Sequence, residues 1–182
     1  MSAQHLSGRL LIGALAGLTA TTIMTAAMRR MYAKLPDTER YPLPPREITE
    51  RVAPTSTPDQ NLRDGSILAH FGYGAVTGAL MAVGNGGKRA GSGAAIGTLV
   101  WALSYFGWVP GLRILKPATQ HPLRRNALMI GAHLVWGAAT HWSIRELIYA
   151  RDTMLAAGPL RDARSHRDSM GETGKEVRNE RQ

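Results

Sequence analysis

The sequence contains no cysteine, and it has no acidic residue between residues 66 and 144. Without cysteine the chain has no disulfide, no thiolate metal ligand and no cysteine nucleophile. All 13 acidic residues lie in 37–64 or 146–180, so the middle of the chain has no carboxylate to complete a proton relay. The bases that give the net charge of +9 are scattered, which argues against a basic face for nucleic acid.

Charge of either sign is absent from four stretches of the chain. They are 10–28, 65–87, 90–112 and 126–144, and they contain 19, 23, 23 and 19 residues. Since a helix rises about 1.5 Å per residue, each stretch is about 28–35 Å long as a helix, enough to cross the hydrocarbon core of a bilayer. Four such windows in one chain are typical of a polytopic membrane protein, whose first partner is the lipid bilayer.

We predict an all-α fold, a bundle of four transmembrane helices. Residues 1–150 are expected to form the membrane domain, and the polar residues 151–182 a flexible tail. The short glycine-rich segment 84–89 predicts a tight turn between the second and third spans. The four spans are placed at about 10–28, 66–83, 91–109 and 126–144.

Glycines recur four residues apart in three of the predicted spans. Small residues at this spacing let two helix backbones approach closely, and such pairs are common at contacts between membrane helices. We therefore expect glycine-rich packing faces, used within the bundle, with other membrane proteins or with a second copy of the chain. The six residues are Gly13, Gly17, Gly74, Gly78, Gly93 and Gly97.

The loop 29–65 is the most patterned polar segment. A cluster of prolines ends at Pro45, and Glu47 and Arg51 follow it, four residues apart. This pattern predicts a short helix that starts near Pro45. Such a helix suits either the membrane surface or a solvated loop. Arg46 with Glu47 and Glu50 is expected to form surface ion pairs rather than a site.

Histidine is the ionisable side chain of interest inside the spans. His70 lies near the start of the second span, and His133 and His141 lie in the fourth. Trp136 is one helical turn from His133 and shares its face. An imidazole that faces lipid is unfavourable, so these rings are expected to face the bundle interior, water or a partner.

Three roles for these histidines compete. The first is structural, with a neutral ring bonded to a carbonyl or hydroxyl of the next helix. The second is proton or ion handling along a polar path with Tyr105, since imidazole titrates near neutral pH. The third is haem ligation by His70 and His133 from separate helices. The first is favoured, so no cofactor and no metal are expected.

No pattern in the chain predicts an enzyme. Ser104 and Tyr105 are adjacent but have no acid nearby, and the glycine-rich segment 84–88 lacks the spacing of a phosphate-binding loop. A nucleophile with its base is not visible, so no catalytic residue is assigned.

Two strings in the chain carry a family resemblance. Pro42-Leu43-Pro44-Pro45-Arg46 follows the first span, and Ala132-His133-Leu134-Val135-Trp136 lies in the last. Together with Ala69-His70-Phe71 they resemble the YagU-like family of bacterial inner-membrane proteins, over about residues 10–148. The resemblance implies an inner-membrane location, a loose link to acid tolerance and no assigned activity. By the same resemblance, the positions that matter for the family's function are Pro44, Pro45, Arg46, His70, His133 and Trp136.

Three functions follow from these observations. The leading hypothesis is a structural or accessory membrane component that associates through its glycine faces. The alternative is a small-solute or proton-coupled transporter or pore component, in which His70, Tyr105 and His133 line the path. The third is a haem-binding electron carrier.

Overall fold

The computed structural model of the protein describes residues 3–84 and 92–158. All regular structure in these residues is helical, as the sequence predicts, with no strand among them. Two short 3₁₀ turns, Asp37–Glu39 and Ala118–Gln120, lie in the loops. The helices are α1 Ala3–Tyr32, α2 Pro44–Val52, α3 Asp59–Val83, α4 Ser92–Ala102, a π-helical turn Leu103–Trp108, α5 Val109–Gly111 and α6 Leu123–Asp152.

Three helices are long and apolar enough to cross a membrane. They are His5–Tyr32, Asp59–Val83 and Ser92–Gly111, and they contain the first two predicted spans and all of the third except residue 91. The fourth predicted span lies inside α6, but α6 is not among the helices whose mean hydropathy is high enough for a membrane span. His133 and His141 lower its hydropathy. The association with a membrane is therefore supported by three helices, and a four-span bundle stays a prediction.

The helices extend beyond the windows that lack charge. α3 begins at Asp59, well before the predicted start of its span, and α1 and α6 are each 30 residues long. A window without charge marks the part of a helix suited to hydrocarbon, whereas backbone hydrogen bonds continue into the charged turns on either side. The predicted helix near Pro45 is confirmed as α2, with proline in its first turn.

The distribution of side chains between interior and surface is unlike that of a water-soluble bundle. Apart from Ile144, the most deeply buried side chains are small, and large apolar side chains cover the outside of the helices. Lipid tails are as apolar as leucine, so a membrane bundle gains little by burying leucine and packs through small residues instead. The most buried are Ala16, Ala20, Thr21, Ala82, Ala132 and Thr140, and the exposed ones include Leu11, Leu68, Leu80, Leu99 and Leu103.

Two pairs of helices approach closely at glycines. On α1, a Cβ added to Gly13 would lie 2.5 Å from the carbonyl oxygen of Gly78 on α3. On α4, a Cβ added to Gly93 would lie 2.5 Å from the carbonyl oxygen of Gly137 on α6. A side chain at either position would force the two backbones apart. Gly17 and Gly74 meet in the first pair, and Gly97 meets Gly137 and His133 in the second.

The chain divides into Met1–Ile148 and Tyr149–Gln182. In the second unit the structure describes residues 149–158, which contain the end of α6 and a turn. The predicted turn at 84–89 lies outside the described residues apart from Gly84, and most of the predicted tail lies outside them too. The predicted boundary after residue 150 stays a prediction.

Candidate ligand-binding cavity

The helices of Met1–Ile148 form a partly open cavity of about 220 Å³. Side chains from α1, α3, α4, the π-helical turn and α6 form its wall, and α2 contributes Pro44, Pro45 and Ile48. The loop helix is therefore part of the cavity. The remaining lining residues are Thr21, Met24, Ala69, His70, Tyr73, Gly74, Thr77, Val100, Ser104, Tyr105, Trp108, Val109, Leu115, Met129, His133 and Trp136.

Six of the eight family-motif and polar-path candidates meet at this cavity, although they are far apart along the chain. Arg46 and His141 are not among the lining residues. The ones that line it are Pro44, Pro45, His70, Tyr105, His133 and Trp136.

His133 is held by its own helix. Its Nδ1 lies 2.8 Å from the carbonyl oxygen of Met129, one turn earlier on α6. A carbonyl oxygen only accepts hydrogen bonds, so Nδ1 carries the proton in this bond. In the neutral ring Nε2 then has no proton and is an acceptor. The side chain is buried, and Nε2 is the nitrogen left for a ligand.

His70 has a buried nitrogen without a partner. Its Nε2 is shielded from solvent and makes no hydrogen bond to any described residue. The ring meets that of Phe71 edge to face, with centroids 6.0 Å apart. A buried polar atom without a partner costs free energy. Because this nitrogen is shielded from the cavity as well as from bulk solvent, His70 contributes its ring to the wall rather than a hydrogen bond.

Four hydroxyl groups in the cavity wall, those of Thr21, Tyr73, Thr77 and Ser104, are already bonded to the protein. Thr21 donates to the carbonyl oxygen of Gly17 at 2.7 Å and accepts from the indole of Trp136 at 3.2 Å. Ser104 donates to the carbonyl oxygen of Val100 at 2.8 Å. Its oxygen also lies 3.0 Å from the Tyr73 hydroxyl and 3.3 Å from the indole nitrogen of Trp108.

The π-helical turn brings three aromatic or polar residues to the cavity. Within it the amide of Val109 donates to the carbonyl oxygen of Ser104, five residues back. This spacing adds a residue to the turn, and Ser104, Tyr105 and Trp108 all reach the wall. The sequence analysis missed this turn. Its signal is Pro110, which has no amide proton and cannot continue a regular α-helix.

Arg125 is a second feature that the sequence analysis missed. It begins α6, is only 4% exposed, and fixes the loop after α1. Its guanidinium donates to the carbonyl oxygens of Glu39, Tyr41 and Pro42 at 2.8–3.1 Å. It also lies 3.4 Å from the centre of the Tyr41 ring. The loop that carries Pro44 and Pro45 is thus held against α6.

Glu47 lies beside this arginine. Its Oε1 is 3.8 Å from Nη2 of Arg125, and its Oε2 is buried without a partner among the described residues. Burial raises the pKa of Glu47, and the charges of Arg125 and His121 oppose that rise. Glu47 therefore faces α6 rather than Arg51. The short ion pair within α2 joins Arg46 and Glu50 at 2.6 Å.

The two candidates outside the cavity have other contacts. Arg46 also pairs with Asp59 at 2.5 Å, which ties α2 to the start of α3. His141 packs against Gly93 on α4, and its Nδ1 lies 3.5 Å from the hydroxyl of Ser92. His141 is thus buried like His133 but away from the cavity, which makes it a matched control.

No group of three or more histidine, aspartate or glutamate side chains that could hold a metal ion occurs in residues 3–84 and 92–158. The two cavity histidines come from α3 and α6, the pair considered for haem in the sequence analysis. Nothing further in the described residues bears on haem.

No family model, no curated protein and no solved structure matches this chain. The resemblance to the YagU-like family therefore stays a prediction.

Proposed function

We propose that this is an integral membrane protein of four crossing helices that binds a small, largely apolar molecule in the cavity beneath α2. One observation carries the proposal. His133, a buried histidine, lines a cavity whose wall is mostly apolar, and its Nε2 is left without a partner because Nδ1 is bonded to Met129. A ligand with one polar group would fill this cavity and satisfy this imidazole.

The fourth crossing is supported by the packing of α6. Its residues 126–144 contain no charged side chain, and its Gly137 meets the glycines of α4. Leu134, Val135 and Trp142 are exposed on its outer face, as expected for contact with lipid. Because α6 lines the same cavity as the three apolar helices, it would lie at the same depth in the membrane as they do.

The size of the cavity limits the ligand. A cavity of about 150 Å³ lined by apolar side chains is known to bind benzene, and this one holds about 220 Å³. A molecule of one or two rings fits these dimensions. Larger lipids would fit only with their chains outside the cavity.

The ligand would enter from the bilayer. Tyr73 and Trp108 line the cavity and are also 39% and 41% exposed on the outer surface of the bundle. Their rings lie side by side, with centroids 6.1 Å apart. In a membrane-embedded bundle this wall faces lipid, where apolar molecules concentrate.

An accessory role through glycine faces has less support in this geometry. Gly13, Gly17, Gly74 and Gly78 contact one another inside the chain, so they are not free for a partner. A transport role is the second candidate, because His70, Tyr105 and His133 share one cavity as that hypothesis requires. The bacterial inner membrane and the link to acid tolerance rest on the family resemblance alone.

The test is to identify what copurifies with the protein. The protein is extracted in polymer-bounded nanodiscs, and the organic extract is analysed by mass spectrometry beside that of an unrelated membrane protein. We expect a small ring compound enriched with the wild-type chain and with His141→Leu, and lost with His133→Leu and His70→Leu. Size-exclusion chromatography checks that each variant is folded. An extract identical to that of the unrelated protein would overturn the proposal.

Transport is tested separately in proteoliposomes. A pH-dependent flux of the identified compound that His133→Leu abolishes and His141→Leu retains would support it. Binding without flux would leave the protein a carrier or sensor of the ligand.

A further inference from the structure

The hydrogen-bonding groups of the cavity wall differ in whether the protein itself already uses them. Four donors in the wall are occupied, since the hydroxyls of Thr21 and Ser104 each donate to a carbonyl oxygen and the indoles of Trp108 and Trp136 donate to these hydroxyls. The hydroxyl of Tyr105 is a further donor in the wall. The Nε2 of His133 remains as an acceptor, because Nδ1 carries the ring proton in its bond to Met129.

The rest of the wall is aromatic and uncharged. Four large rings, those of Tyr73, Tyr105, Trp108 and Trp136, line the same space. Aromatic side chains pack well against other rings, in stacked or edge-to-face arrangements. No side chain of the wall is a carboxylate, a lysine or an arginine, so a charged ligand would have no counterion there.

We infer that the ligand class of this cavity is a neutral phenol of one or two rings, whose hydroxyl donates to Nε2 of His133. The inference rests on the proposed function and makes it more specific. A ketone or ether of the same size offers only an acceptor, which can meet the Tyr105 hydroxyl but leaves the Nε2 of His133 without a partner. The Nε2 of His70 is shielded from the cavity, so the hydrogen bond that distinguishes a phenol is the one to His133.

The inference is tested with two probes that differ in one group. β-Naphthol has a hydroxyl, and its methyl ether keeps the ring and the oxygen but has no donor. Each is equilibrated with nanodiscs that contain the full chain and with empty nanodiscs, and the excess bound to protein is measured by mass spectrometry. Subtraction of the empty nanodiscs removes the contribution of partition into lipid.

The wild-type protein is expected to bind β-naphthol about tenfold more tightly than the ether, the effect of one hydrogen bond made or missing in a buried site. This preference should disappear in His133→Leu and persist in His141→Leu. The comparison of the two probes on the unaltered protein stands even if a variant does not fold.

Each negative result would overturn a different part of the inference or of the proposed function. Equal binding of the two probes, or tighter binding of the ether, would overturn the phenol class and leave a binding cavity for apolar molecules. A tenfold preference that persists in folded His133→Leu would overturn the role of His133. Binding of neither probe up to its solubility limit, together with an organic extract that shows no enriched compound, would overturn both the inference and the proposed function.

Discussion

Arg125 joins the start of α6 to the loop after α1 through three backbone carbonyl oxygens. A guanidinium has five donors in a planar fork, so one side chain can bond several carbonyls at once. The loop in turn presents Pro44 and Pro45 to the cavity. One arginine thus positions a segment of the site that lies more than eighty residues away in sequence.

Replacement of this arginine should be costly. Arg125→Met removes the donors to three carbonyl oxygens and leaves Glu47 without its nearest charge, and we expect a loss of about 3 kcal/mol in unfolding free energy. Unfolding by SDS in mixed micelles measures it. Arg124→Met is the control, because Arg124 is exposed and its loss should cost less than about 0.5 kcal/mol. Equal effects of the two variants would contradict the role given to Arg125.

Glu47 gives the loop a dependence on pH. Its pKa is raised in the folded protein, mainly by burial, so folding favours its protonated form. The stability from this group is fully present below its ordinary pKa of 4.5 and is lost as the pH rises through the raised value. The neutral isostere Glu47→Gln removes this titration.

We therefore expect Glu47→Gln to match the wild type near pH 4 and to be more stable than the wild type at pH 7. Unfolding midpoints in detergent across this range measure the difference. Asp64→Asn, at an exposed position, controls for the loss of one negative charge. A variant that is less stable than the wild type at pH 7 would show that the attraction to Arg125 outweighs burial.

At the scale of elements, the contact between α1 and α3 decides where the cavity lies. Gly13 and Gly17 meet Gly78 and Gly74, so the two backbones approach as closely as they can. The resulting rotation of α3 turns His70, Tyr73 and Thr77 toward the cavity. The spacing of these glycines could be read from the sequence, whereas their pairing could not, because three helices carry the same spacing.

Two glycines of α3 provide a matched test of this contact. A Cβ on Gly78 would lie 2.7 Å from the Cα of Gly17, whereas a Cβ on Gly72 would meet nothing within 4 Å. Gly78→Ala is expected to cost about 2 kcal/mol through overpacking, and Gly72→Ala to cost nothing or to stabilise the helix slightly. SDS unfolding measures both. Similar results for the two variants would contradict the close approach of α1 and α3.

The π-helical turn is the element that was hardest to predict from the sequence. The third span was predicted as a plain helix that ends at about residue 109, but the structure places a widened turn, Leu103–Trp108, near its end. Proline breaks the hydrogen-bond ladder in a way that a reader of the sequence can see. Whether the chain then stops or widens depends on the neighbouring helices, here on Tyr73 of α3, which lies 3.0 Å from the hydroxyl of Ser104.

At the scale of the whole molecule, the four crossings proposed above would place the loops in a fixed pattern. α1 and α4–α5 end where α3 and α6 begin, and Arg125 contacts Tyr41 at that end. The loops 33–58 and 112–122 must then share one side of the membrane. The start of α1 and the end of α6 share the other side only if α6 crosses.

Single cysteines test this pattern without removal of native ones, since the chain has none. Thr38→Cys and Thr119→Cys are expected to react with a membrane-impermeant maleimide from one side of sealed vesicles. His5→Cys and Glu146→Cys should react from the other side, and the lipid-facing Leu99→Cys from neither. Reaction of Glu146→Cys on the side of Thr38→Cys would reduce the number of crossings to three.

The sequence by itself determined that much of this chain is suited to lipid and that its structure is helical. Both follow from local properties. The free energy of moving a charged side chain into hydrocarbon is a property of each residue and does not depend on the fold. The helix of the loop could likewise be read from its prolines. Only the tertiary structure decided that His70, Tyr105 and His133 share one cavity with the loop prolines. That depends on how each helix is rotated about its axis, which is set by contacts between glycines far apart in the chain and by the carbonyl oxygens that bind Arg125.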